Sequence, residues 1–174
     1  MKGCLITLEL MDIEKHAKGY FEISQDPKLH EYVGNTIPKN IEEIKDLLGI
    51  YDELLINWMI IDRQTNRIIG IMRLSKPVME NNRLEAGESQ RLHSNYWRKG
   101  HMKEAKALFY NHVFNELGVD VLYADVYEGN VNSIRSLESY GYKLIEVQKG
   151  IFKKADEEKK IFIYKLTKLD YLNR

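Results

Sequence analysis

The chain has 174 residues, and its 26 Lys and Arg residues balance its 26 Asp and Glu residues, so the formal net charge is zero. This length fits a single domain, residues 1–174, and a hydrophobic fraction of 44% fits a globular protein rather than a disordered one. Proteins that bind nucleic acid usually carry a basic excess, so the charge balance disfavours a nucleic-acid partner. A small anionic ligand needs only a local basic patch, so the zero net charge does not disfavour such a ligand.

The single cysteine, Cys4, excludes a disulfide within the chain and indicates a reducing compartment. Its apolar neighbours Leu5 and Ile6 predict that Cys4 is buried. The N-terminus lacks the long apolar core of a signal peptide, and the longest apolar stretch, residues 54–61, is far too short to cross a bilayer. We therefore expect a cytoplasmic protein without a membrane partner.

Hydrophobic spacing predicts the elements of the first half. Strands are predicted at residues 5–10, 54–61 and 67–74. Asp12 is a candidate N-cap for a helix that ends near Ser24. Asn40 is a candidate cap for a second helix, in which apolar residues from Ile41 to Leu48 share one face.

The sequence of the second half of the chain predicts a strand, a glycine turn, a helix and another strand. The strands are residues 83–92 and 121–127, and the helix between them begins near Gly100 and stops before Gly118. Such a βαβ unit predicts parallel strands with a right-handed crossover and a ligand at the carboxyl end of the first strand. The remaining predictions are a helix at 133–140, strands at 142–148 and 160–166, and a solvated hairpin loop over the charged residues 153–160.

The stretch "NYWRKGHMKEA" places Arg98 and Lys99 directly before Gly100, at the predicted start of a helix. Cations at this positive end of a helix dipole cost up to roughly 1 kcal/mol each, and a bound anion would offset that cost. A glycine lets a phosphate approach the unpaired backbone N–H groups. The alternative is an ordinary exposed turn. The stretch is neither a Walker A loop nor a dinucleotide fingerprint, because the further glycines of those motifs are missing.

"YWRKGHMKEA" followed by "LFYNHVFNELGVDVLYADVYEGNVNSIRSLESYGY" resembles the acetyl-CoA-binding half of the GNAT superfamily of N-acetyltransferases. The resemblance is greatest to the branch that contains the ribosomal-protein alanine acetyltransferases, and it covers about residues 84–166. It rests on the order and spacing of the basic glycine turn, "GNVNS" after a strand, and a helix that ends in "SYGY". It implies an α+β fold: a mixed, mostly antiparallel sheet of about seven strands with one splayed parallel pair, flanked by about four helices.

The resemblance implies acetyl-CoA as co-substrate. No metal is expected, because His93 and His101 lack the spacing and companion ligands of a metal site. The residues that the resemblance assigns to the cofactor are Leu92, Trp97, Arg98, Lys99, Gly100, His101, Met102, Asn130 and Ser133. Trp97 and Met102 depart from the family turn, which has Arg or Gln and then Gly or Ala at those places. Asn130 and Ser133 match the family's Asn-x-x-Ser pair near the pantetheine arm, and their alternative role is to cap a helix.

Amine acetylation needs a base, because an amine with a pKa near 10 must lose a proton before it attacks a thioester. The family often uses a glutamate on the strand at 83–92, where Glu85 and Glu88 are the candidates; for each, a solvated surface position is the alternative. The two have opposite parity, so an unbulged strand directs only one of them at the cleft, and Gly87 between them permits a bulge. Leu137 stands where many members carry the Tyr that protonates the leaving thiolate, so that acid stays unassigned.

We therefore predict an acetyl-CoA-dependent N-acetyltransferase that acts by direct attack in a ternary complex. The acceptor is a primary amine: a protein N-terminus, an amino sugar or another small amine. The alternative is a non-catalytic CoA-binding or acyl-CoA-binding sensor, which Leu137 favours. A homodimer stays open.

Overall fold

The computed structural model describes residues 1–33, 37–152 and 155–173. Within these residues, eight strands form one sheet in the order β1-β2-β3-β5-β6-β8-β7, with β4 paired to β5. The strands are β1 (Ile6–Leu10), β2 (Leu55–Asp62), β3 (Ile68–Ser75), β4 (Val78–Glu80), β5 (Arg83–Leu92), β6 (Val121–Tyr127), β7 (Lys143–Phe152) and β8 (Glu157–Thr167). The helices are α1 (Ile13–Ser24), α2 (Ile41–Leu54), α3 (His101–Asn111), α4 (Val131–Ser139) and the short α5 (Lys168–Leu172).

The strand pairings confirm the predicted mixed, mostly antiparallel sheet. β5 and β6 form the parallel pair, and the other described pairings are antiparallel. The last β5–β6 partners are Gly87 and Tyr123, whereas β5 continues to Leu92 and stays paired with β3 as far as Gly70. The sheet therefore splays open beyond Gly87, and α3 provides the crossover from β5 to β6.

Both faces of β2 are covered by helices. Trp58 and Met59 are neighbours in the strand and therefore point to opposite faces. Trp58 meets the ring of Phe109 in α3 edge-on, with 5.5 Å between the centroids. Met59 belongs to a second apolar cluster with Tyr20 of α1 and Leu48 of α2.

The predicted helix caps are confirmed. Asp12 Oδ1 accepts the N–H of Lys15 at 2.9 Å, and Asn40 Oδ1 accepts the N–H of Glu43 at 2.9 Å. Each cap satisfies one of the N–H groups that the first turn of a helix leaves unpaired.

Two predictions from the sequence are wrong. Residues 157–160 belong to β8 and not to a loop, because they pair with β7, where Lys149 and Glu158 form an ion pair at 2.9 Å. Lys153 and Lys154 lie outside the described residues. Cys4 is exposed, although its apolar neighbours predicted burial, because the segment before β1 lies on the surface against α3.

The carboxylate of Glu104, in the first turn of α3, holds this segment. It accepts the backbone N–H groups of Cys4, Leu5 and Ile6 at 2.7, 2.7 and 2.9 Å. Burial alone would raise the pKa of Glu104, but these three donors, together with the charge of Arg63, outweigh burial and lower it. In the described part of the chain, no helix has the length and apolar character needed to cross a membrane.

Glu104→Gln should lower the free energy of unfolding at pH 7 by about 1 kcal/mol, because an amide loses the charge that strengthens these bonds. Since the folded-state pKa of Glu104 is lowered, this contribution is present above its unfolded pKa and is lost as the pH falls through the folded value. Urea unfolding at neutral and acid pH measures it, with exposed Glu53→Gln as the control. A difference between Glu104→Gln and wild type that stays constant down to pH 3 would contradict the charge-based account.

Candidate functional site

A cleft of about 550 Å³ lies at the end of β5, next to the start of α4. Its walls come from the end of β5, the turn into α3, the start of α4 and the segment that follows α1. The lining residues are Lys28, Leu29, Glu31, Tyr32, Val33, Gln90, Arg91, Leu92, Tyr96, Trp97, Arg98, Gly100, Met102, Lys103, Asn130, Asn132, Ser133 and Ser136. The cleft occupies the place predicted for a ligand, at the carboxyl end of the first strand of the βαβ unit.

Gly100 is the N-cap of α3 and has a positive φ of 87°. No side chain among the described residues caps α3, in contrast to the capped α1 and α2. The N–H groups of its first turn therefore stay available to an anion, which the positive end of the helix dipole also favours. Gly100 and Met102 both line the cleft, so this helix end opens onto it.

The described part of the cleft wall is positively charged. Lys28, Arg91, Arg98 and Lys103 contribute cations, and Glu31 is the acidic residue among the lining side chains. Because the whole chain is neutral, this excess of positive charge is local. A cleft lined by one sign of charge raises the local concentration of an oppositely charged ligand.

The glycine turn is held by side chains on both sides. Trp97 Nε1 donates to the carbonyl of Leu92 at 2.6 Å, and the N–H of Ser94 donates to Asp26 at 2.8 Å. Burial acts to raise the pKa of Asp26, but the hydrogen bonds from Ser94 lower it overall. Asp26 follows α1, so its bond to Ser94 fixes the segment 28–33 to the turn.

The structure places most of the predicted cofactor residues on the cleft wall. Those that line it are Leu92, Trp97, Arg98, Gly100, Met102, Asn130 and Ser133. Lys99 and His101 do not. His101 instead lies 3.5 Å from Asp62 at the end of β2 and packs edge-on against the ring of Tyr96.

Asn130 has the capping role that was its alternative. Its Oδ1 accepts the N–H of Ser133 at 3.2 Å, in the first turn of α4. Both residues also line the cleft, so capping and contact with a ligand are compatible.

Neither candidate base lines the cleft. The register of β5 runs without a shift against β6 from Glu85 to Gly87 and against β3 from Glu88 to Leu92, so Glu85 and Glu88 point to opposite faces. Glu85 lies beside Tyr123, whose pKa is raised first by burial and then by a hydrogen bond to Glu85. Glu88 is 6% exposed and faces α3.

A buried polar cluster surrounds Glu88. The hydroxyls of Tyr110 and Tyr142 donate to Glu88 Oε1 at 2.7 and 3.0 Å. Burial raises the pKa of both tyrosines well above the ordinary value. Lys106 Nζ lies 5.3 Å from the centroid of the Tyr140 ring, and burial lowers the pKa of Lys106.

Sequence reasoning missed this cluster, although a signal for it exists. Lys106 follows Met102 by four residues and precedes Tyr110 by four, so it falls on the apolar stripe of α3. A charged residue on such a stripe indicates a buried partner. The residues 28–33 that cover the cleft carry no comparable signal. The described residues contain no group of three or more His, Cys, Asp or Glu side chains arranged to hold a metal ion.

The chain is similar to known proteins in both sequence and fold. The family model of the GNAT acetyltransferase domain matches residues 6–143. Among curated proteins, no significant sequence match is found.

Solved structures share the fold at low identity. A GNAT-family acetyltransferase from Bacillus anthracis superposes with a TM-score of 0.81 at 17% identity, over 96% of this chain and 97% of that one. A GCN5-related N-acetyltransferase from Brucella melitensis gives 0.84 at 20% identity, over 98% and 79%. A variant of the spermidine N-acetyltransferase SpeG from Vibrio cholerae gives 0.76 at 15% identity, over 98% of both chains. At such identities the likeness shows the fold alone.

Gly100→Val should abolish coenzyme A binding, because a branched side chain blocks the approach of phosphate to the start of α3. A β-branched residue at positive φ also costs about 1–3 kcal/mol of stability. Gly118→Val is the matched control, since Gly118 has a φ of 72° and open space around it, away from the cleft. Calorimetry should show binding by the Gly118 variant and none by the folded Gly100 variant. Equal affinities would place the phosphates elsewhere.

Proposed function

Because the chain belongs to the GNAT family of acetyltransferases, we propose that it transfers the acetyl group of acetyl-CoA to a primary amine by direct attack in a ternary complex. The observation that carries this proposal is the basic cleft at the splay of β5 and β6, which ends at the uncapped start of α3. The diphosphate of the co-substrate would lie at Gly100, beside the first N–H groups of α3 and on the same cleft wall as Arg98 and Lys103. The pantetheine arm would then run between β5 and α4, past Asn130 and Ser133.

The backbone of β5 supports this placement. His93 N–H donates to Ile69 of β3 and Gly87 N–H donates to Ser75 of β3, so odd-numbered residues present their backbone groups to β3. The backbone N–H and C=O groups of successive strand residues point to opposite edges of the strand. Those of Glu88 and Gln90 therefore point to the edge away from β3. Beyond Gly87 that edge lacks β6 as a partner. The N–H groups of Glu88 and Gln90 are therefore suited to polarise the thioester oxygen and to bind the pantetheine amides.

Glu88 is a better candidate for the base than Glu85. Glu88 lies one residue beyond the last β5–β6 pair, where the splay begins, and Glu85 lies within the paired region beside Tyr123. Neither side chain lines the cleft, so Glu88 would exchange its proton with the acceptor through water or a neighbouring polar group.

The acceptor is proposed as a class. A protein N-terminus, as in the ribosomal-protein alanine acetyltransferases, an amino sugar and another small amine all present a cation before they react. Glu31 is the acidic residue on the described cleft wall and would attract such an ammonium group. We also propose that residues 1–174 act as one domain, since strands from both halves of the chain belong to one sheet.

A non-catalytic sensor of CoA or acyl-CoA is the second candidate. Leu137 favours it, because Leu137 is buried in the core and has no proton to give to a departing thiolate. Both candidate functions require binding of coenzyme A, but only the acetyltransferase requires turnover of an amine.

Calorimetry with coenzyme A and a turnover assay with acetyl-CoA test the proposal. Saturable binding is expected, together with release of free thiol when amines are added as alanyl and seryl peptides, glucosamine and spermidine. Binding without turnover on any amine would favour the sensor. Absence of binding at millimolar coenzyme A would overturn both.

Glu88→Gln should lower kcat about 100-fold at neutral pH, the usual range for a general base, and should leave the affinity for coenzyme A unchanged. The loss should shrink as the pH rises, because the acceptor amine then arrives without its extra proton. Glu85→Gln is the matched control and should keep a near-normal rate. If both variants keep near-normal rates between pH 6 and pH 9, the base is not a β5 glutamate.

A further inference from the structure

Five side chains form an inner cluster below the cleft: Glu88 of β5, Lys106 and Tyr110 of α3, Tyr140 at the end of α4, and Tyr142 before β7. Lys106 is 0% exposed, and its Nζ has no hydrogen-bond partner among the residues that the structure describes. Oε2 of Glu88 is likewise buried without a described partner. Burial of a charged group without a hydrogen bond destabilises a fold, so the inner cluster calls for a reason other than stability.

The inner cluster continues the cleft inwards on three elements. On β5, Gln90 lines the cleft, and Glu88 lies two residues before it on the same face. On α3, Met102 lines the cleft, and Lys106 lies one turn further along. On α4, Ser136 lines the cleft, and Tyr140, the residue directly after this helix, lies one turn beyond Ser136. Oε1 of Gln90 is also buried without a described partner, so unpartnered polar atoms extend from the cleft wall to Lys106.

We propose that Lys106 supplies the proton taken up by the departing CoA sulfur, and that Glu88 and Lys106 work as one proton-exchanging pair. This inference rests on the proposed acetyl transfer. It gives the acid role to α3, since Leu137 of α4 has no ionisable group.

The protons balance over one cycle. The neutral amine attacks the carbonyl carbon, a C–N bond forms, and the C–S bond breaks with its electron pair on sulfur. Glu88 receives the proton that leaves the nitrogen through water or a neighbouring polar group, and the Lys106 ammonium gives a proton to the sulfur through a relay of the same kind, since neither side chain lines the cleft. The proton on Glu88 then returns to Lys106, so the pair ends as it began.

The surroundings of Lys106 predict the pH dependence. The groups that face it are Glu88 of β5, Tyr110 on its own helix, Tyr140 directly after α4 and, through Glu88, Tyr142. Burial lowers the pKa of Lys106, although the negative charge of Glu88 opposes the shift. The donor form exists below this lowered pKa, so kcat should fall as the pH rises through it.

Lys106→Met tests the proposal, because methionine fills a similar volume without a charge. We expect kcat about 100-fold lower, an unchanged affinity for coenzyme A, no alkaline limb in the pH profile, and a lower Tm, because the buried Glu88 loses the positive charge beside it. Lys168→Met is the matched control, since half-buried Lys168 donates to a backbone carbonyl, that of Phe114, away from the cleft. This control should keep the wild-type kcat and pH profile.

The double variant Glu88→Gln/Lys106→Met removes both charges together and keeps the test valid if the single variant fails to fold. Residues that act as a unit show non-additive losses, so the double variant should lose no more activity than the worse single variant. A near-normal kcat in Lys106→Met overturns the inference. So does a loss of kcat that follows a fall in Tm and in affinity, or a failure of both variants to fold, because each assigns Lys106 a structural role. If wild type binds coenzyme A but turns over no amine, the proposed function itself fails.

Discussion

The structure depends on the loss of pairing between two adjacent parallel strands. β5 and β6 are hydrogen-bonded as far as Gly87 and Tyr123, and beyond that point β5 keeps its bonds to β3 alone. A strand edge without a partner carries backbone donors and acceptors that must find other partners. Separation of the strands therefore creates both the volume of the cleft and a backbone edge that can bind an extended polar chain. The basic turn at Gly100 then provides a site for the charged end of that chain.

Most of the protein interior is apolar, but a polar cluster lies close to the splay. The apolar contacts of Trp58, Met59 and Phe109 cover both faces of the paired half of the sheet. Within this apolar interior, Glu88 and Lys106 occupy positions where the strand and the helix would otherwise present apolar side chains to the core. Their burial costs stability, which natural proteins accept at sites where the groups have a chemical use.

Sequence reasoning predicted features that depend on neighbouring residues. The sequence predicted the caps at Asp12 and Asn40, the strand at 83–92 and the glycine turn. Helix caps, the alternating pattern of a strand and turns all depend on residues that are close together in the chain. The sequence could not predict which face of the sheet Glu88 lies on, because that depends on the register of β5 against two strands that are distant in the chain. The cover formed by residues 28–33 was not readable either, because its position is fixed by contacts with a turn more than sixty residues away.

Residues 28–33 belong to the first half of the chain, but this segment is held in place by contacts with the second half. Asp26 accepts the N–H of Ser94, and the ring of Tyr32 lies close against Gly129, where an added Cβ would be 3.5 Å from Tyr32 Cε1. One short segment thus touches the loops that follow both separated strands. The segment thereby connects the two sides of the opening, so a loop outside the sheet contributes to the width of the cleft. Changes in the length of that loop would alter the width of the cleft without any change in the strands.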